Sequence, residues 1–465
     1  MKFSELFEGY KIENFEDFIV EGIAYNSKEV KENYVFVAIK GEKFDGHNFV
    51  YEAINSGAKA IVVERKLDVK ISQVIVENSR VELSKISAKF YNYPSKNLFA
   101  IGITGTNGKT TTAYITYQAL NLLGHKTALL GTIINDLISR KEVPKLTTPE
   151  SLDLQKYMFE ILKNEGEFLV MEVSSHSLAL NRVDDVDFKI AVFTNLTIDH
   201  LDFHKTFENY REAKLKLFRM LNENAIGIKN LDEENNSYFI NACKGKVITY
   251  GFYKNANMRG EIIENSKNGL KIKVFDKIIE NENFIGEFNA YNLLCSFSIL
   301  NAIGFDINKI IDVLSQVKPP KGRLQKIKNV FIDYAHTPDA LERVLKTLKS
   351  VYNKKIILVF GAGGNRDHSK RPIMGKVSEI ADIIILTSDN PRDEEPIDII
   401  KDIERGINKT HIIEIDRKKA IELAISISNE DDVVLIAGKG HETYQEIKGI
   451  KYHFDDEEVV KNFIQ

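Results

Sequence analysis

One strand–loop–helix segment constrains the fold of this chain more than any other. The apolar run LFAIGIT predicts a strand buried on both faces, and KTTTAYITYQALNLLG predicts a helix. The turn that joins them contains Gly105 and Gly108. A glycine-rich turn in this position is typical of a phosphate-binding loop, because backbone N–H groups and the helix N-terminus supply partial positive charge. A simple tight turn would explain the glycines, but it would not need the Lys-Thr-Thr that follows.

The side chains of this loop have separate expected roles. Lys109 is expected to reach the terminal phosphates of ATP, and the Thr110 hydroxyl is expected to help hold Mg²⁺. The strict form of the motif has a glycine at position 103, where this chain has Ile103. The residues predicted to bind ATP here are Gly105, Thr106, Asn107, Gly108, Lys109, Thr110 and Thr111.

Further apolar runs alternate with helical patterns along the chain and predict parallel α/β sheets. Examples are FLVMEV and KIAVFTN in the middle of the chain and KKIILVFG, DIIILTSD and DVVLIAG in its last third. The segments YNYPSKN and VKPPKGR contain proline and are predicted to connect domains. We therefore predict three α/β domains, with boundaries at 1–97, 98–318 and 319–465.

The composition excludes several classes of protein. The net charge of −4 argues against a general nucleic-acid partner. Two cysteines are too few for a disulfide framework and fit a reducing cytoplasm. No apolar run reaches the roughly 18 residues of a membrane helix, and the N-terminal residues lack the apolar core of a signal peptide. We expect a bacterial cytoplasmic monomer without stable membrane insertion.

The loop TGTNGKTT resembles the nucleotide loop of the Mur ligases and of the related folylpolyglutamate synthetase. These enzymes phosphorylate a carboxylate with ATP and let an amine attack the acyl phosphate. Phosphorylation is needed because a carboxylate would otherwise have to expel oxide. The resemblance implies ATP and Mg²⁺ as cofactors and a three-domain architecture, with a central P-loop ATPase-like parallel sheet and a Rossmann-like C-terminal domain.

The resemblance extends to candidate catalytic residues besides Lys109. MEVSSHSLALNRV contains Glu172, TNLTIDHLDFHK contains His200, and YREAKLKLF contains Lys214. The resemblance implies that Glu172 and His200 belong to the metal site. It also implies that Lys214 is carbamylated to N6-carboxylysine, whose oxygens bind a second Mg²⁺. Judged from the residues alone, Glu172 would be a solvated surface residue, His200 a structural residue and Lys214 a solvated helix lysine.

Three further segments resemble the family's ATP-binding motifs. GEFNAYNLL supplies Asn289 and Asn292, whose amides could offer a donor and an acceptor to the adenine base. Alternatively, an asparagine here would cap a helix N-terminus. GRLQ and DYAHTPD supply Arg323 and His336, which the resemblance implies would meet ATP when the third domain closes.

The first domain and parts of the second resemble the family's site for a UDP-N-acetylmuramoyl dipeptide. The relevant segments are AYNSKEVKENYVFVAIKGEKFDGHNF, KLTTPE and the serine-rich segment after Glu172. Asn26 and Lys28 replace an Asp and an Arg that are usual in the family. The residues implied to bind this substrate are Tyr25, Ser27, Thr147, Thr148, Ser174 and Arg182.

Two segments of the third domain indicate which amino acid is added. GAGGNRDHSKRPIMG and SDNPRDEEP resemble the family members that add the third peptide residue, and DNPR is the form seen where meso-diaminopimelate is added. An arginine fork suits the second carboxylate of that diacid, and Glu442 would pair with its distal amino group. DNPR on its own predicts a type I turn with Pro at i+1, and we expect that turn to present the arginine. The residues implied to bind the amino acid are Arg366, Asp389, Asn390, Pro391, Arg392, Gly438 and Glu442.

The resemblance therefore implies an ATP-dependent carbon–nitrogen ligase of peptidoglycan precursor synthesis. It would add meso-diaminopimelate, or a close analogue such as meso-lanthionine, to UDP-N-acetylmuramoyl-L-alanyl-D-glutamate through an acyl phosphate. A lysine-adding ligase is an alternative that DNPR argues against, and the uridine-type first domain argues against a folylpolyglutamate synthetase. A non-catalytic nucleotide-sugar-binding paralogue is a different class, and it should have lost Lys109, Glu172 or Lys214.

Overall fold

The computed structural model describes residues 1–41 and 44–464, and three large sheets follow one another along this part of the chain. Their strands lie within residues 12–75, 99–281 and 325–437. The predicted domain boundaries fall in the connections between these sheets, and as boundaries they stay predictions. Positions 42 and 43 of the predicted UDP-binding segment lie outside the described residues.

The first sheet is mostly parallel. The strands and helices of this part of the chain are α1 (Phe3–Leu6), β1 (Ile12–Glu13), β2 (Gly22–Ala24), β3 (Tyr34–Val37), α2 (Val50–Asn55), β4 (Ala58–Val63), β5 (Ser72–Ile75) and α3 (Ser79–Phe90). The strand order is β1-β5-β4-β3-β2, and only β1 runs antiparallel to its neighbour.

The second sheet has a parallel centre with antiparallel edges. Its strands are β6 (Phe99–Thr104), β7 (Thr127–Leu130), β8 (Asn135–Asp136), β9 (Lys141–Glu142), β10 (Phe168–Glu172), β11 (Phe188–Phe193), β12 (Ile226–Asn230), β13 (Lys246–Gly251), β14 (Met258–Ser266), β15 (Gly269–Val274) and β16 (Lys277–Asn281). Its helices are α4 (Lys109–Leu122), α5 (Ser151–Lys163), α6 (Ser175–Ala179), α7 (Leu201–His204), α8 (Phe207–Arg219), α9 (Asn236–Ala242), α10 (Glu287–Ile303) and α11 (Ile307–Leu314).

The position of β6 in this sheet determines where the site lies. The strand order is β16-β15-β14-β13-β12-β11-β6-β10-β7-β8-β9, so β6 lies between β10 and β11 and is parallel to both. Ile101 and Ile103 pack on one face of β6 and Ala100 on the other, as expected for a strand buried on both sides. The loop after β6 therefore lies at the carboxyl edge of the sheet, next to the ends of β10 and β11, where α/β proteins place their ligands.

The third sheet is also mainly parallel. Its elements are β17 (Gln325–Ile327), β18 (Val330–Asp333), α12 (Pro338–Tyr352), β19 (Ile356–Phe360), α13 (Lys370–Ser378), β20 (Ile383–Leu386), α14 (Pro396–Glu404), β21 (Ile412–Ile413), α15 (Arg417–Ser426), β22 (Val433–Ala437), the hairpin β23 (Tyr444–Ile447) and β24 (Ile450–His453), and α16 (Asp456–Ile464). The order of the sheet is β17-β18-β22-β19-β20-β21, with only β17 antiparallel. Across the described residues, no helix is long and apolar enough to cross a membrane.

Candidate active site

The glycine-rich loop after β6 requires both of its glycines. Gly105 has a φ of +149° and Gly108 a φ of +85°, conformations that side chains rarely adopt. A Cβ at position 105 would collide with the Thr194 hydroxyl, and one at position 108 would lie 2.7 Å from Oδ1 of Asn292. The backbone is therefore held close to neighbouring side chains, and α4 begins directly after the loop at Lys109.

Lys109 folds back over the loop. Its Nζ donates to the carbonyl oxygens of Gly105, at 3.0 Å, and of Thr106, at 2.9 Å. Desolvation lowers the pKa of Lys109, and the nearby Glu172 carboxylate opposes that change. The lysine is thus held at the loop. A bound phosphate could replace these carbonyl contacts with charge-assisted hydrogen bonds to Nζ.

Glu172, the last residue of β10, is buried rather than solvated. Its residue exposure is 1%, so the surface position expected from the residue alone is wrong. Oε2 accepts hydrogen bonds from the hydroxyls of Thr110, at 2.8 Å, and Thr132, at 3.1 Å, while Oε1 accepts from the Thr132 N–H at 2.7 Å. The strand end and the first turn of α4 therefore bring a carboxylate and a hydroxyl together.

This oxygen pair is suited to Mg²⁺. That ion is commonly bound by one or two carboxylates together with substrate phosphates and water, rather than by a full set of protein ligands. The described residues contain no group of three or more His, Cys, Asp or Glu side chains placed to hold a metal. Glu172 and Thr110 fit a magnesium site that the phosphates of a nucleotide would complete.

Lys214 on α8 is also buried. The residue is 1% exposed, because it shares the inner face of the helix with Tyr210 and Phe218. Its Nζ donates to the Gly105 carbonyl oxygen at 2.6 Å. Burial lowers the pKa of Lys214 well below its usual value, and Lys109 lowers it further. The solvated helix lysine expected from the pattern alone is therefore wrong, and the amine lies beside the phosphate loop.

His200 lies beside the loop but is more open to solvent. Its side chain is 44% exposed, its φ is +54°, and its Nε2 is 3.4 Å from a carboxylate oxygen of Asp199. Desolvation lowers the pKa of His200 against the opposing effect of Asp199, and Lys109 and Lys214 contribute to the lowering. The imidazole is accordingly kept neutral, the form in which histidine can bind a metal.

Asn289 and Asn292 lie inside α10 and do not cap it. Gly286 occupies the N-cap position, so the alternative that an asparagine caps this helix is wrong. Asn292 Oδ1 accepts from the Thr112 hydroxyl at 3.2 Å, and its Nδ2 donates to Asn289 Oδ1 at 3.1 Å. Both amides line a cavity of about 210 Å³ that Gly108 of the loop also borders.

The same cavity is bordered by residues that the sequence reasoning missed. Tyr291 and Asp232 line it, and the Tyr291 hydroxyl donates to Asp232 Oδ2 at 2.8 Å. Asn107 Nδ2 donates to Asp339 Oδ2 at 2.9 Å, which connects the loop to the start of α12 in the third domain. Two of these residues lie in segments already singled out: Tyr291 is inside GEFNAYNLL, and Asp339 ends DYAHTPD.

Arg323 brings the third domain onto the loop. Its Nη2 donates to the Thr110 hydroxyl at 3.1 Å, and its guanidinium lies 4.8 Å over the ring of Tyr334. Within the described residues its buried Nε has no hydrogen-bond partner. His336 is exposed, and its Nδ1 donates to the Tyr334 carbonyl oxygen at 2.8 Å, which leaves Nε2 free to accept. Arg323 thus reaches from the third domain to the phosphate loop of the second, whereas the hydrogen bond of His336 stays within the third domain.

Four residues predicted to hold the nucleotide-sugar peptide lie next to Glu172. The Thr148 hydroxyl donates to the Glu172 carbonyl oxygen at 2.8 Å and accepts from the Ser174 N–H at 3.1 Å. Arg182 Nη1 donates to the Thr148 carbonyl oxygen at 3.3 Å. The Thr147 hydroxyl lies 3.2 Å from that of Thr132, which itself contacts Glu172. The structure therefore brings Thr147, Thr148, Ser174 and Arg182 together at one edge of the metal site.

One of the two candidates of the first domain contacts the second. The Tyr25 hydroxyl donates to Asp153 Oδ2 on α5 at 2.7 Å. Ser27 is buried and begins a single 3₁₀ turn, Ser27–Glu29. The phenol contact shows that this segment of the first domain lies against the second, as a substrate that spans both would require.

The amino-acid residues gather at the carboxyl edge of the third sheet. Asn390 Nδ2 donates to Glu442 Oε2 at 2.8 Å. Gly438 has a φ of +113°, and a Cβ there would lie 2.6 Å from Oδ2 of Asp389. Asp389 and Asn390 follow β20, while Gly438 follows β22. Residues separated by about fifty positions in sequence therefore lie together in one cluster.

The turn in DNPR differs from the prediction. The Glu394 N–H donates to the Pro391 carbonyl oxygen at 3.0 Å, so Pro391 is the first residue of the turn and Arg392, with a φ of +52°, is the second. The predicted type I turn with Pro at i+1 is therefore wrong. The reason is tertiary, because Arg392 also pairs by its backbone with Glu446 and Lys448 of the β23–β24 hairpin.

Arg392 joins two loops of the third domain. Its Nη1 donates to the Gly364 carbonyl oxygen at 2.8 Å, and its Nε is 3.3 Å from a carboxylate oxygen of Glu446. Arg366 lies exposed two residues after Gly364. A substrate carboxylate near these loops would contact the anchored guanidinium of Arg392 and could also attract that of Arg366.

Comparisons with known proteins agree with this arrangement. Three models match successive parts of the chain: the catalytic domain of the Mur ligase family at residues 19–99, the Mur ligase middle domain at 103–300, and the Mur ligase glutamate ligase domain at 322–440. The ligase from Caldanaerobacter subterraneus named UDP-N-acetylmuramoyl-L-alanyl-D-glutamate–2,6-diaminopimelate ligase is 44% identical over all of this chain and 99% of its own length.

The chain belongs to the Mur ligase family. The Aquifex aeolicus Mur ligase of the same name is 45% identical, over 96% of this chain and 94% of that protein. A solved structure, also of a ligase with this name, aligns with a TM-score of 0.68 at 32% identity, over 95% of this chain and 94% of the other. The MurF ligase from Thermotoga maritima, solved in complex with ADP, shares the fold at 22% identity and a TM-score of 0.67, over 96% and 97%.

Proposed function

We propose that this Mur ligase joins meso-diaminopimelate, or a diacid of the same shape, to UDP-N-acetylmuramoyl-L-alanyl-D-glutamate at the expense of ATP. The observation that carries the proposal is the cluster at the carboxyl edge of the third sheet, where Asn390 binds Glu442 and the nearby Arg392 is anchored on Gly364 and Glu446. An arginine fork and a carboxylate are the two groups needed to bind a distal amino-carboxylate end. The named diaminopimelate ligases that the chain resembles support the same choice.

The nucleotide loop would carry the first half of the reaction. A side-chain carboxylate oxygen of D-glutamate attacks the γ-phosphorus of ATP, the bond to the β–γ bridging oxygen breaks, and ADP leaves. The N–H groups at the start of α4, Lys109 and Arg323 would stabilise the charge on the transferring phosphoryl group. Glu172 and Thr110 would hold Mg²⁺, which when bound supplies further neutralisation of the phosphate oxygens.

The third domain would carry the second half. The α-amine of the diacid attacks the carbonyl carbon of the acyl phosphate, loses a proton, and expels inorganic phosphate to leave the amide. Arg392 and Glu442 fix the far end of the amino acid, so that only one amine is presented to the acyl phosphate. Contacts such as that from Asn107 to Asp339 bring the second and third domains together and would limit hydrolysis of the acyl phosphate.

We further propose that Lys214 is carbamylated. A carbamate forms when a neutral amine attacks CO₂ and loses a proton, so it requires an amine that is unprotonated near neutral pH. Burial lowers the pKa of Lys214 and so favours that form. The product is an anionic oxygen pair beside the phosphate loop, where a second Mg²⁺ would be favourable. His200, held neutral nearby, would complete this side of the site.

The cellular setting follows from the substrates proposed. Both cysteines are unpaired, with Cys295 buried and Cys243 half-buried, as suits a reducing compartment. ATP and a UDP-linked precursor are cytoplasmic metabolites, so we propose a cytoplasmic enzyme that works as a monomer, since each chain carries all three sites.

An omission experiment tests this function. Inorganic phosphate release is measured with ATP, Mg²⁺, the UDP-dipeptide and meso-diaminopimelate together, and then with each component left out. We expect sustained release only in the complete mixture, with a product whose mass equals the two substrates joined minus one water. Equal phosphate release without the amino acid, or a product of unchanged mass, would contradict the proposal.

A further inference from the structure

Lys439 is a fully buried lysine in the amino-acid pocket that the proposed reaction leaves without a role. It lies between Gly438 and Gly440, just after β22, and its side chain is 0% exposed. Its Nζ is 3.1 Å from Asn390 Oδ1 and 3.1 Å from Glu442 Oε2. Burying a lysine is costly unless its charge is paired and its hydrogen bonds are made. These two contacts satisfy that requirement and tie the lysine to two predicted substrate ligands.

The lysine fixes the orientation of the Asn390 amide. Oδ1 of Asn390 accepts from Lys439 and also from the Glu446 N–H at 2.9 Å, so the amide oxygen must face these two donors. The amide nitrogen is thereby directed to Glu442 Oε2, at 2.8 Å. The Lys439 ammonium and the Glu446 N–H thus fix the orientation of the Asn390 amide, and the nitrogen of that amide holds the Glu442 carboxylate.

One carboxylate oxygen of Glu442 is left for a ligand. Oε2 receives hydrogen bonds from both Lys439 and Asn390, while Oε1 has no hydrogen-bond partner within residues 1–41 and 44–464. A distal ammonium could therefore bind Oε1 without breaking the contacts that position the side chain. Oε1 is the acceptor that the pocket presents.

The charge of Lys439 changes what the pocket selects. Glu442 alone would attract any distal ammonium, including that of L-lysine, but the adjacent Lys439 cancels its charge. The remaining cations are Arg392, with its side chain 21% exposed, and the exposed Arg366. Glu446 pairs with Arg392 and the Asp389 carboxylate lies beside Gly438, so these cations are partly balanced within the protein. A distal amino-carboxylate end brings the guanidiniums an anionic partner, whereas the lone ammonium of lysine brings none and gains little from the neutralised Glu442.

We propose that Lys439 is a positioning and specificity-determining residue for the amino-acid substrate. It orients Asn390 and Glu442, and it offsets the charge of Glu442 so that the pocket accepts an amino-carboxylate end and rejects a lone ammonium. This inference rests on the proposed function, and it adds to Arg392 a second, separately testable source of selectivity.

Lys439→Met tests the inference, because methionine fills a similar volume without charge. The values of kcat and KM are measured for meso-diaminopimelate, L-lysine, ATP and the UDP-dipeptide. We expect the KM for the diacid to rise roughly tenfold or more, as for loss of a hydrogen bond to a charged group. The ratio of kcat/KM for the diacid over that for lysine should fall by a similar factor, while the KM values for ATP and the dipeptide stay unchanged.

Lys401→Met is the matched control, since Lys401 lies on α14 of the same domain with its side chain 60% exposed and pairs with Asp398. It should leave all four substrates unaffected. A uniform loss of kcat with every substrate and an unchanged ratio between diacid and lysine would show that Lys439 is only structural and would overturn the proposal.

Glu442→Gln removes a negative charge, whereas Lys439→Met removes a positive one. It tests the proposal if Lys439→Met does not fold. Lys439 is then left uncompensated, so lysine should lose more than the diacid and the ratio should rise. A constant or falling ratio in this variant counts against the proposal. If the unmodified enzyme itself shows no phosphate release that depends on the diacid, the proposed function fails instead, before any variant is compared.

Discussion

The nucleotide loop and the amino-acid pocket are built in different ways. At the loop, the functional side chains come from strand ends and from helices packed on the second sheet. Glu172 and Lys214 are each about 1% exposed and are held by neighbours on that sheet. In the amino-acid pocket, Arg392 stands on a turn with a positive φ, and Arg366 is exposed. The chemistry therefore rests on a rigid scaffold, and the selection of substrate rests on loops.

This difference predicts two kinds of response to mutation. A substitution at the nucleotide loop removes a buried charge that the phosphoryl transfer needs, whichever amino acid is offered. A substitution in the amino-acid pocket alters the discrimination between substrates and should leave ATP binding intact.

Lys109→Ala should abolish turnover while the fold persists. The loop loses its only lysine, and the loss of a charge aimed at the transferring phosphoryl group should lower kcat by about a thousandfold or more. Phosphate release is measured beside Lys126→Ala, a control at a surface lysine that pairs with Glu165. Turnover near that of the unmodified enzyme in a folded Lys109→Ala protein would refute the phosphate role.

Lys214→Ala should lower kcat by about a hundredfold or more, because the proposed carbamate oxygens are lost from the metal site. Short carboxylates such as acetate, added at high concentration, should restore part of the activity. Lys216→Ala is the matched control, since that lysine lies on the same helix, pairs with Asp184 and is 31% exposed. A fully active Lys214→Ala enzyme, or full activity with an unmodified Lys214 amine in a ligand-bound crystal, would contradict carbamylation.

Arg392→Ala should lower kcat/KM for meso-diaminopimelate by about 30-fold and leave the KM for ATP unchanged. Loss of one charged partner costs about 2–5 kcal/mol, and partial exposure with an existing contact to Glu446 points to the lower end. The preference for the diacid over lysine should collapse, mainly through the better substrate. Arg405→Ala, an exposed arginine paired with Asp402, is the control. An unchanged preference in Arg392→Ala would show that Arg392 does not bind the second carboxylate of the substrate.

Asp339→Asn should raise the KM for ATP about threefold, with little change in the KM for the amino acid. The part-buried contact from Asn107 to the Asp339 carboxylate joins the loop to the third domain, and the asparagine keeps an acceptor while it loses the charge, so the expected cost is roughly 1 kcal/mol or less. Glu342→Gln on the same helix, which disrupts only a surface pair with Lys346, is the control. A larger effect on the amino acid than on ATP would show that this contact serves the other region.

The strands of the fold could be predicted from the sequence because their signal is local. FLVMEV was expected as a strand and β10 covers Phe168–Glu172; KIAVFTN was expected and β11 covers Phe188–Phe193. Each run is mostly apolar, as a strand buried on both faces requires. The phosphate loop was recognisable for a similar reason, since its glycines and the following lysine adjoin one strand and one helix.

The burial of the polar site residues could not be predicted in this way. Glu172 and Lys214 looked like surface residues because a polar side chain is usually solvated, and their burial depends on elements distant in sequence. Only the family resemblance placed them in the site. The DNPR turn was misplaced by one residue because the hairpin near Glu446 fixes the backbone of Arg392. Lys439, between two glycines, gave no sequence signal that distinguished it from a loop lysine.

The central claim is that the third-domain pocket selects a diacid, and one measurement tests it most directly. The value of kcat/KM is determined for the unmodified enzyme with meso-diaminopimelate and with L-lysine, at saturating ATP and UDP-dipeptide, from phosphate release and product mass. The account predicts a preference for the diacid of about 30-fold or more, because lysine leaves the arginine without its carboxylate. Equal values for the two amino acids would contradict it.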